Sequence, residues 1–303
     1  MLHVFWSTSS CFSEYLSESA MESSHTEISS KQEVINVLDI FPELNQGLIE
    51  LLEGFSQDEW EKETCLKGRS VKDLVSHLID TSLRRLAMDR DHYFSEAPEI
   101  HSREDLVEFI QSQNRDWILA TRRLSPNMLL SLLKSSGDEL VDFLGTLELH
   151  EKALFPVDWA GESQSENWFD IAREYTEKWH HQMQIRDAVG REGPLYETRF
   201  FQPIIDSFIK ALPVAFNQSN RAEFTVAIEI TGTCGGTYFL EKKAHSTGFV
   251  EGKLEQTSNR VKIDQKEFCK LVTNSKLKEA IEFEAVGDSE VTNQLLLVVA
   301  VMS

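Results

Sequence analysis

Closely spaced cysteines are missing from this sequence. Its four cysteines, Cys11, Cys65, Cys234 and Cys269, are scattered with no C-x-x-C pair. That excludes a zinc ribbon and a disulfide framework, and fits a reducing, cytoplasmic setting. Basic charge is scarce: 30 Lys and Arg stand against 50 Asp and Glu, for a formal net charge of -20. Such a balance argues against nucleic acid or an anionic membrane as the main partner. Long apolar runs are also lacking. The most apolar stretches, such as 295–301, are too short to cross a bilayer, and residues 1–12 have no basic start of the kind a signal peptide carries. Gly232, Gly235 and Gly236 surround Cys234, but no Gly-Lys-Ser/Thr follows them, and neither a dinucleotide fingerprint, a Gly-x-Ser-x-Gly elbow nor a His-Glu-x-x-His motif occurs. A turn between strands accounts for these glycines, and no histidine pattern marks Cys234 as a nucleophile.

What is present is enough for two cores: 303 residues, 41% of them hydrophobic. Residues 7–30 are rich in serine and glutamate and read as a disordered head, with Met21 as an alternative start. The expected division is a disordered extension over 1–31, a helical bundle over 32–192 and a small α+β domain over 193–303. Helical spacing of Val34, Val37, Leu38, Phe41, Leu44, Leu48, Leu51 and Leu52 marks a first helix over 32–54, with Pro42 as a break or offset near its middle. Ser70-x-x-Asp73 opens a second helix carrying Val71, Leu74, Val75, Leu78, Ile79 and Leu86. Ser102-x-x-Asp105 opens a third, and Ser125-Pro126 resets the chain into a fourth. Residues 153–167, with Phe155, Trp159 and Gly161, form a loop whose aromatic side chains either wall a pocket or pack onto the bundle. After Gly193-Pro194 the pattern changes to a helix over 200–213, a hairpin of strands over 224–230 and 237–240, a strand over 260–263, a helix over 265–273 and a strand over 281–286. Residues 295–301 close the chain as a buried strand or helix.

The stretch over 168–190 organises the chemistry. Trp168, Ile171, Tyr175, Trp179 and Val189 form an apolar stripe at helical spacing, and Gly190 is a natural stop. Glu177 and His181 lie four residues apart, so their side chains stack over one turn. Taken alone, an acid and a histidine at this spacing are most often a local ion pair. With His77 on the second helix they would make a set of two imidazoles and one carboxylate, suited to zinc or a similar divalent ion with a position left open. His180 competes with His181, but the four-residue register favours His181. Such a centre would polarise a water, a carbonyl or a thiol, and would lower a bound thiol's pKa toward neutrality.

Three stretches carry a family resemblance: Ser70-Val-Lys-Asp-Leu-Val-Ser-His77-Leu, Asn114-Arg-Asp-Trp117 through Arg122-Arg-Leu-Ser125-Pro126, and Trp168 through Asp187. On these the chain resembles the mycothiol-dependent maleylpyruvate isomerase family, within the wider group of DinB-like metal-binding proteins. The resemblance implies an α+β, two-domain fold: a DinB-like four-helix bundle, then a C-terminal domain akin to sterol carrier proteins. It implies His77, Glu177 and His181 as ligands of a divalent metal, zinc first, and a low-molecular-weight, mycothiol-like thiol as cosubstrate. The implied activity is a thiol S-transferase or isomerase acting on an electrophilic small molecule, with maleylpyruvate itself not implied. A homodimer remains open. Two other classes stay beside this reading: a non-catalytic protein that binds a metal or an apolar ligand, and a metal-assisted hydrolase that needs no thiol.

Overall fold

Pro42 decides where the first helix begins. The computed structural model describes residues 34–95, 98–244 and 246–300, so the disordered head and the alternative start at Met21 lie outside the described residues. Helix α1 is Phe41–Glu53, shorter than the expected 32–54, because proline has no N–H to donate and suits only a helix's first turn. Ahead of it the Val37 carbonyl accepts from the amides of Ile40 and Phe41 at 3.1 and 2.9 Å, closing a turn.

The chain divides into two units: one takes the chain up to Pro156 together with Ser163–Pro194, the other Val157–Glu162 together with everything from Leu195. In the first, α1 is followed by α2 (Val71–Arg85), α3 (Arg103–Thr121), α4 (Pro126–Leu144) and α5 (Asn167–Val189). The starts are those the side chains encode. Ser70 accepts from the Asp73 amide while Asp73 accepts from the Ser70 amide, a reciprocal capping box. The Ser102 and Ser125 hydroxyls cap α3 and α4 one way only, accepting from the amides of Asp105 and Met128, with Pro126 occupying the first position of α4. Helix α5 ends at Gly190, whose φ of 70° is the left-handed conformation glycine adopts without a Cβ penalty. Leu48, Leu52, Leu74, Val75, Leu78, Ile79, Leu129 and Ile185 interlock in one core cluster, and burying each such side chain contributes about 1.5–3 kcal/mol.

In the second unit α6 (Thr198–Phe208) and α7 (Leu212–Asn217) precede β1 (Phe224–Thr231), β2 (Gly236–Lys243), β3 (Ser246–Phe249), β4 (Asn259–Asp264), α8 (Gln265–Val272) and β5 (Phe283–Val286). The sheet order is β3-β2-β1-β4-β5. The expected hairpin forms as antiparallel β1 and β2, β4 runs parallel to β1, and β5 is antiparallel to β4. Strand β3 had no sequence signal; it pairs with the end of β2. Asn259, Val261 and Ile263 of β4 are buried while Arg260, Lys262 and Asp264 face out, the period of two of a sheet covered on one side. Gly235 in the turn leading into β2 is needed for close approach: a Cβ there would stand 1.9 Å from the Ile230 carbonyl oxygen.

Two expectations need correction. The aromatic loop does not pack as a whole on the bundle, because its residues are divided between the two units. Trp159 lies edge-on to Phe208 at 6.3 Å within the second unit, while Phe155 stays in the first, under the Arg85 guanidinium. The closing residues form a short 3-10 turn, Asn293–Leu297, and then run extended, with the Ala300 amide donating to the Val272 carbonyl at 3.0 Å. Among the described residues, no helix is long and apolar enough to cross a membrane.

Candidate metal centre

Helices α2 and α5 run antiparallel, and what joins them is polar. The Lys178 ammonium on α5 donates to the Leu78 carbonyl at 3.0 Å and to the hydroxyls of Thr81 and Ser82 at 2.7 and 2.8 Å on α2. That anchor lies one residue beyond Glu177 on α5 and one beyond His77 on α2, so position 77 comes to lie opposite 177 and 181. Two contacts from α3 and its end hold α2 from its other side. The Trp117 indole donates to the Ser76 carbonyl at 2.9 Å, and Arg122 binds Asp73 with two bonds of 3.0 and 2.8 Å.

The consequence is a convergence across a hundred residues of chain. His77 Nε2 is 3.6 Å and His181 Nε2 3.0 Å from the same Glu177 oxygen, Oε1. The two imidazole rings meet edge to face with centroids 4.7 Å apart. One ligand atom from each of the three residues lies within 4.8 Å of the others, the one such cluster of histidine, cysteine and acid side chains among the described residues. The side chains of His77 and His181 are 12% and 11% exposed and that of Glu177 29%, so the cluster is sunk into the bundle with its carboxylate nearest solvent. His180 is not part of it; its ring lies 5.2 Å from that of His181, tilted.

Electrostatics follow from this burial. Desolvation pushes the His77 imidazole down to about 4 against the pull of Glu177, so its nitrogens carry no extra proton at neutral pH. His180 is pushed down to about 3 for the same reason. Burial acts on His181 in the same direction, but the Glu177 carboxylate outweighs it and the imidazole is raised. For Glu177 burial would raise the carboxyl, and His181 and His77 more than reverse it, holding it well below the usual range.

The donor set suits a divalent ion of zinc's class: two ring nitrogens and one ionised carboxylate oxygen converge, as in three-ligand centres that keep a position for substrate. Behind His181 stands the partner such a ligand needs. Gln184 Oε1 is 2.8 Å from His181 Nδ1, on the ring's far side from Glu177, and such contacts fix ring orientation at metal sites. Gln184 Nε2 also lies 3.0 Å from His180 Nε2. Sequence spacing brought His77, Glu177 and His181 to notice but passed over Gln184 and Lys178. The one available signal was that Gln184 lies three residues past His181 and seven past Glu177, on the same helix face.

Residues 41–186 match the family model described as the mycothiol maleylpyruvate isomerase N-terminal domain. Solved structures of similar fold include a mycothiol-dependent maleylpyruvate isomerase, 11% identical over 82% of this chain and 90% of that one, with a TM-score of 0.50. A histidine-to-alanine mutant described under the same enzyme name is 12% identical over the same shares, with a TM-score of 0.49. At that identity the likeness concerns the fold. No curated protein matches.

Proposed function

Since the helical unit of this chain belongs to the family of mycothiol maleylpyruvate isomerase N-terminal domains, we propose that the protein is an enzyme of thiol chemistry built on the cluster of His77, Glu177 and His181. These three side chains would hold a divalent ion, zinc first among the candidates. The observation that carries the reading is the meeting of two imidazole nitrogens at one oxygen of a partly buried carboxylate, 3.6 and 3.0 Å away. When bound, such an ion supplies Lewis acidity that lowers the pKa of a thiol toward neutrality.

The chain's own residues supply the rest. His77 arrives neutral, so its lone pair is available without displacing a proton. Glu177 carries the negative charge that offsets the ion's, and the bundle walls keep water from all but the carboxylate side. A low-molecular-weight thiol of the mycothiol kind would add its sulfur to an electrophilic carbon of a small molecule, in an isomerase or S-transferase cycle. The sulfur would attack as the thiolate, forming a C–S bond as the electrophile's π bond opens, and the proton given up by the thiol would end on the neighbouring carbon of the adduct. The C-terminal unit, with its five-stranded mixed sheet and flanking helices, is in keeping with the expected sterol-carrier-like domain, and the division at 32–192 and 193–303 is carried within this proposal. A reducing, cytoplasmic setting keeps such a thiol free.

The test is metal content followed by turnover. Purified protein should take up one zinc per chain, and His77→Ala and His181→Ala should each abolish tight binding. Loaded protein should consume thiol in the presence of a panel of electrophilic alkenes, and stripped protein should not. Metal uptake unchanged in both variants would overturn the site. Hydrolysis that proceeds with no thiol present would overturn the thiol chemistry in favour of a metal-assisted hydrolase.

A further inference from the structure

On the side of α2 that looks between α3 and α5, His77, Asp80 and Arg84 follow one another at helical spacing. His77 meets α5 through Glu177, and Arg84 meets α3 through Asn114, so this strip floors a trough with the candidate centre at one end. Arg84 starts two turns from His77, but its side chain leans back toward the helix start. Its Nη2 lies 2.7 Å from Asn114 Oδ1 and 3.0 Å from Asp80 Oδ2, which brings the guanidinium to about 5 Å along the axis from the level of His77. The neighbouring cations are already spent. Lys178 gives its hydrogens to the Leu78 carbonyl, Thr81 and Ser82. Arg122 holds Asp73 by two bonds, and Arg173 holds Asp170 by two. Arg85 is closed in between Asp89 and Asp170, under the Phe155 ring. Arg84 differs. Its side chain is 32% exposed, the Asp80 oxygen beside it is not aligned for a hydrogen bond, and its Nε is buried with no acceptor.

We propose that Arg84 is a specificity-determining residue of this site: its guanidinium takes the carboxylate of an acidic, unsaturated substrate and thereby sets the substrate's electrophilic carbon beside the cluster of Glu177 and the two histidines. The inference rests on the thiol-chemistry reading of that cluster and names the class of electrophile it serves. A guanidinium's planar fork matches the two oxygens of a carboxylate and keeps its charge in proteins. The field of the whole chain cannot do this work, because a net charge of -20 repels small acids. Recognition must therefore be local, and must come from a cation that the fold has not already neutralised. Asn114 fits that requirement. Its amide oxygen orients the guanidinium by accepting one bond and adds no negative charge beside it. The offset of about one turn between the guanidinium and His77 suits a short acid whose reactive carbon lies a few bonds from its carboxylate. A neutral electrophile would leave Arg84 to water and lose the anchor.

Matched acids and amides test this with and without turnover. Calorimetry on full-length protein, as isolated and after zinc loading, should show levulinate binding about 10- to 100-fold more tightly than levulinamide, the range for one hydrogen bond to a charged group. Asp80→Asn combined with Arg84→Met removes both members of the pair, so no uncompensated buried carboxylate is left behind, and the preference should vanish. Asn114→Leu keeps the pair but frees the guanidinium, and the preference should shrink. In zinc-loaded protein supplied with the neutral thiol β-mercaptoethanol, the double variant should raise the KM of trans-β-acetylacrylate about 10- to 100-fold relative to that of its amide, with the kcat ratio changed less. No preference in wild type, or one that survives in the double variant, overturns the assignment; should the double variant not fold, Asn114→Leu decides, and an undiminished preference there overturns it. A preference that follows a carboxylate on the thiol, seen with β-mercaptopropionate and the amide, overturns the electrophile as its source. Arg84-dependent levulinate binding by protein that takes up no zinc supports the subsite and overturns the metal reading instead.

Discussion

Asp170 is the test of what holds α2 against α5 beyond the candidate centre. Its carboxylate is fully buried and lies between two guanidinium groups. Arg173 donates to Oδ1 from Nε and Nη2 at 2.9 and 2.7 Å, and Arg85 Nη2 stands 2.6 Å from Oδ2. Arg85 is itself buried, its side chain 3% exposed, and also binds Asp89, whereas the Arg173 side chain is 25% exposed and its share is discounted for solvent screening. At an effective dielectric of about 20, each unit-charge pair near 4 Å is worth about 4 kcal/mol before desolvation. The desolvation of each ion takes back several kcal/mol, so the intact cluster adds little net stability. Removing only the carboxylate is different, because Arg85 then stays buried with Asp89 as its remaining close partner. Asp170→Asn should cost about 3–5 kcal/mol, a large part of the 5–15 kcal/mol typical of a folded domain. Urea unfolding followed by far-UV circular dichroism, which reports chiefly on the helical unit, should show the midpoint falling with the slope unchanged. The acid limb gives a second reading. Burial raises this carboxyl, and Arg173 and Arg85 more than reverse it, leaving it below its ordinary value of 3.8. A depressed folded value means that its contribution is complete above the unfolded value and is lost as pH falls through the folded one. The gap between wild type and Asp170→Asn should therefore be flat above about pH 5 and close below about pH 4. A midpoint shift worth less than about 1 kcal/mol at neutral pH would refute the reasoning, by the yardstick of breaking a buried pair.

Three further outcomes are expected. Free zinc at a hundred times its dissociation constant should stabilise wild type by about 2.7 kcal/mol through mass action, a rise of about 5–10 °C in the melting of the helical unit for a chain of this size. His77→Ala should show no comparable rise in the same thermal scan, and equal shifts in the two proteins would remove His77 from the site. Ser70→Ala breaks the reciprocal cap at the start of α2 and should lower stability by about 1 kcal/mol in urea titration; an unchanged midpoint would show that Asp73 and Arg122 hold this end without the hydroxyl. Gly235→Ala would push a methyl to 1.9 Å from the Ile230 carbonyl oxygen. The turn must then shift at a cost of about 3 kcal/mol or more, and near-wild-type stability in thermal unfolding would contradict the close approach.

How legible these features were depended on which partner each residue uses. Capping serines announce themselves, because the Ser70 hydroxyl serves an amide three residues on, and the acid at position 73 completes the same local exchange. Glu177 and His181 were legible for a similar reason, their relation being one turn of one helix. His77 needed more, since nothing local to α2 distinguishes a metal-facing histidine from one that merely lies beside Leu74; it stood as a candidate third ligand, and the family resemblance singled it out. The first helix was over-extended because the spacing of Val34, Val37 and Leu38 continues the apolar period of 41–53 although Pro42 admits helix only from its own turn onward. Strand β3 was lost because four residues including Gly248 carry too little alternation to register.

The supporting contacts were hidden for a deeper reason. Lys178 ends on a backbone carbonyl and two hydroxyls of another helix, about a hundred positions away. Every residue offers a carbonyl, so the acceptor leaves no mark in the sequence, and a lysine in a helix that also carries Arg173, Glu174 and Glu177 reads as solvated until the fold is known. A coordination site can thus be inferred from ligand spacing while the register that closes it cannot. This separation makes a concrete demand on Lys178→Met. If the anchor sets the register, the methionine variant should stay folded, because the long apolar chain fills the lysine's volume, while zinc affinity falls with the loosened pairing of α2 and α5. Affinity equal to wild type, measured by competition with a chelating dye, would show that the core leucines alone bring position 77 to 177.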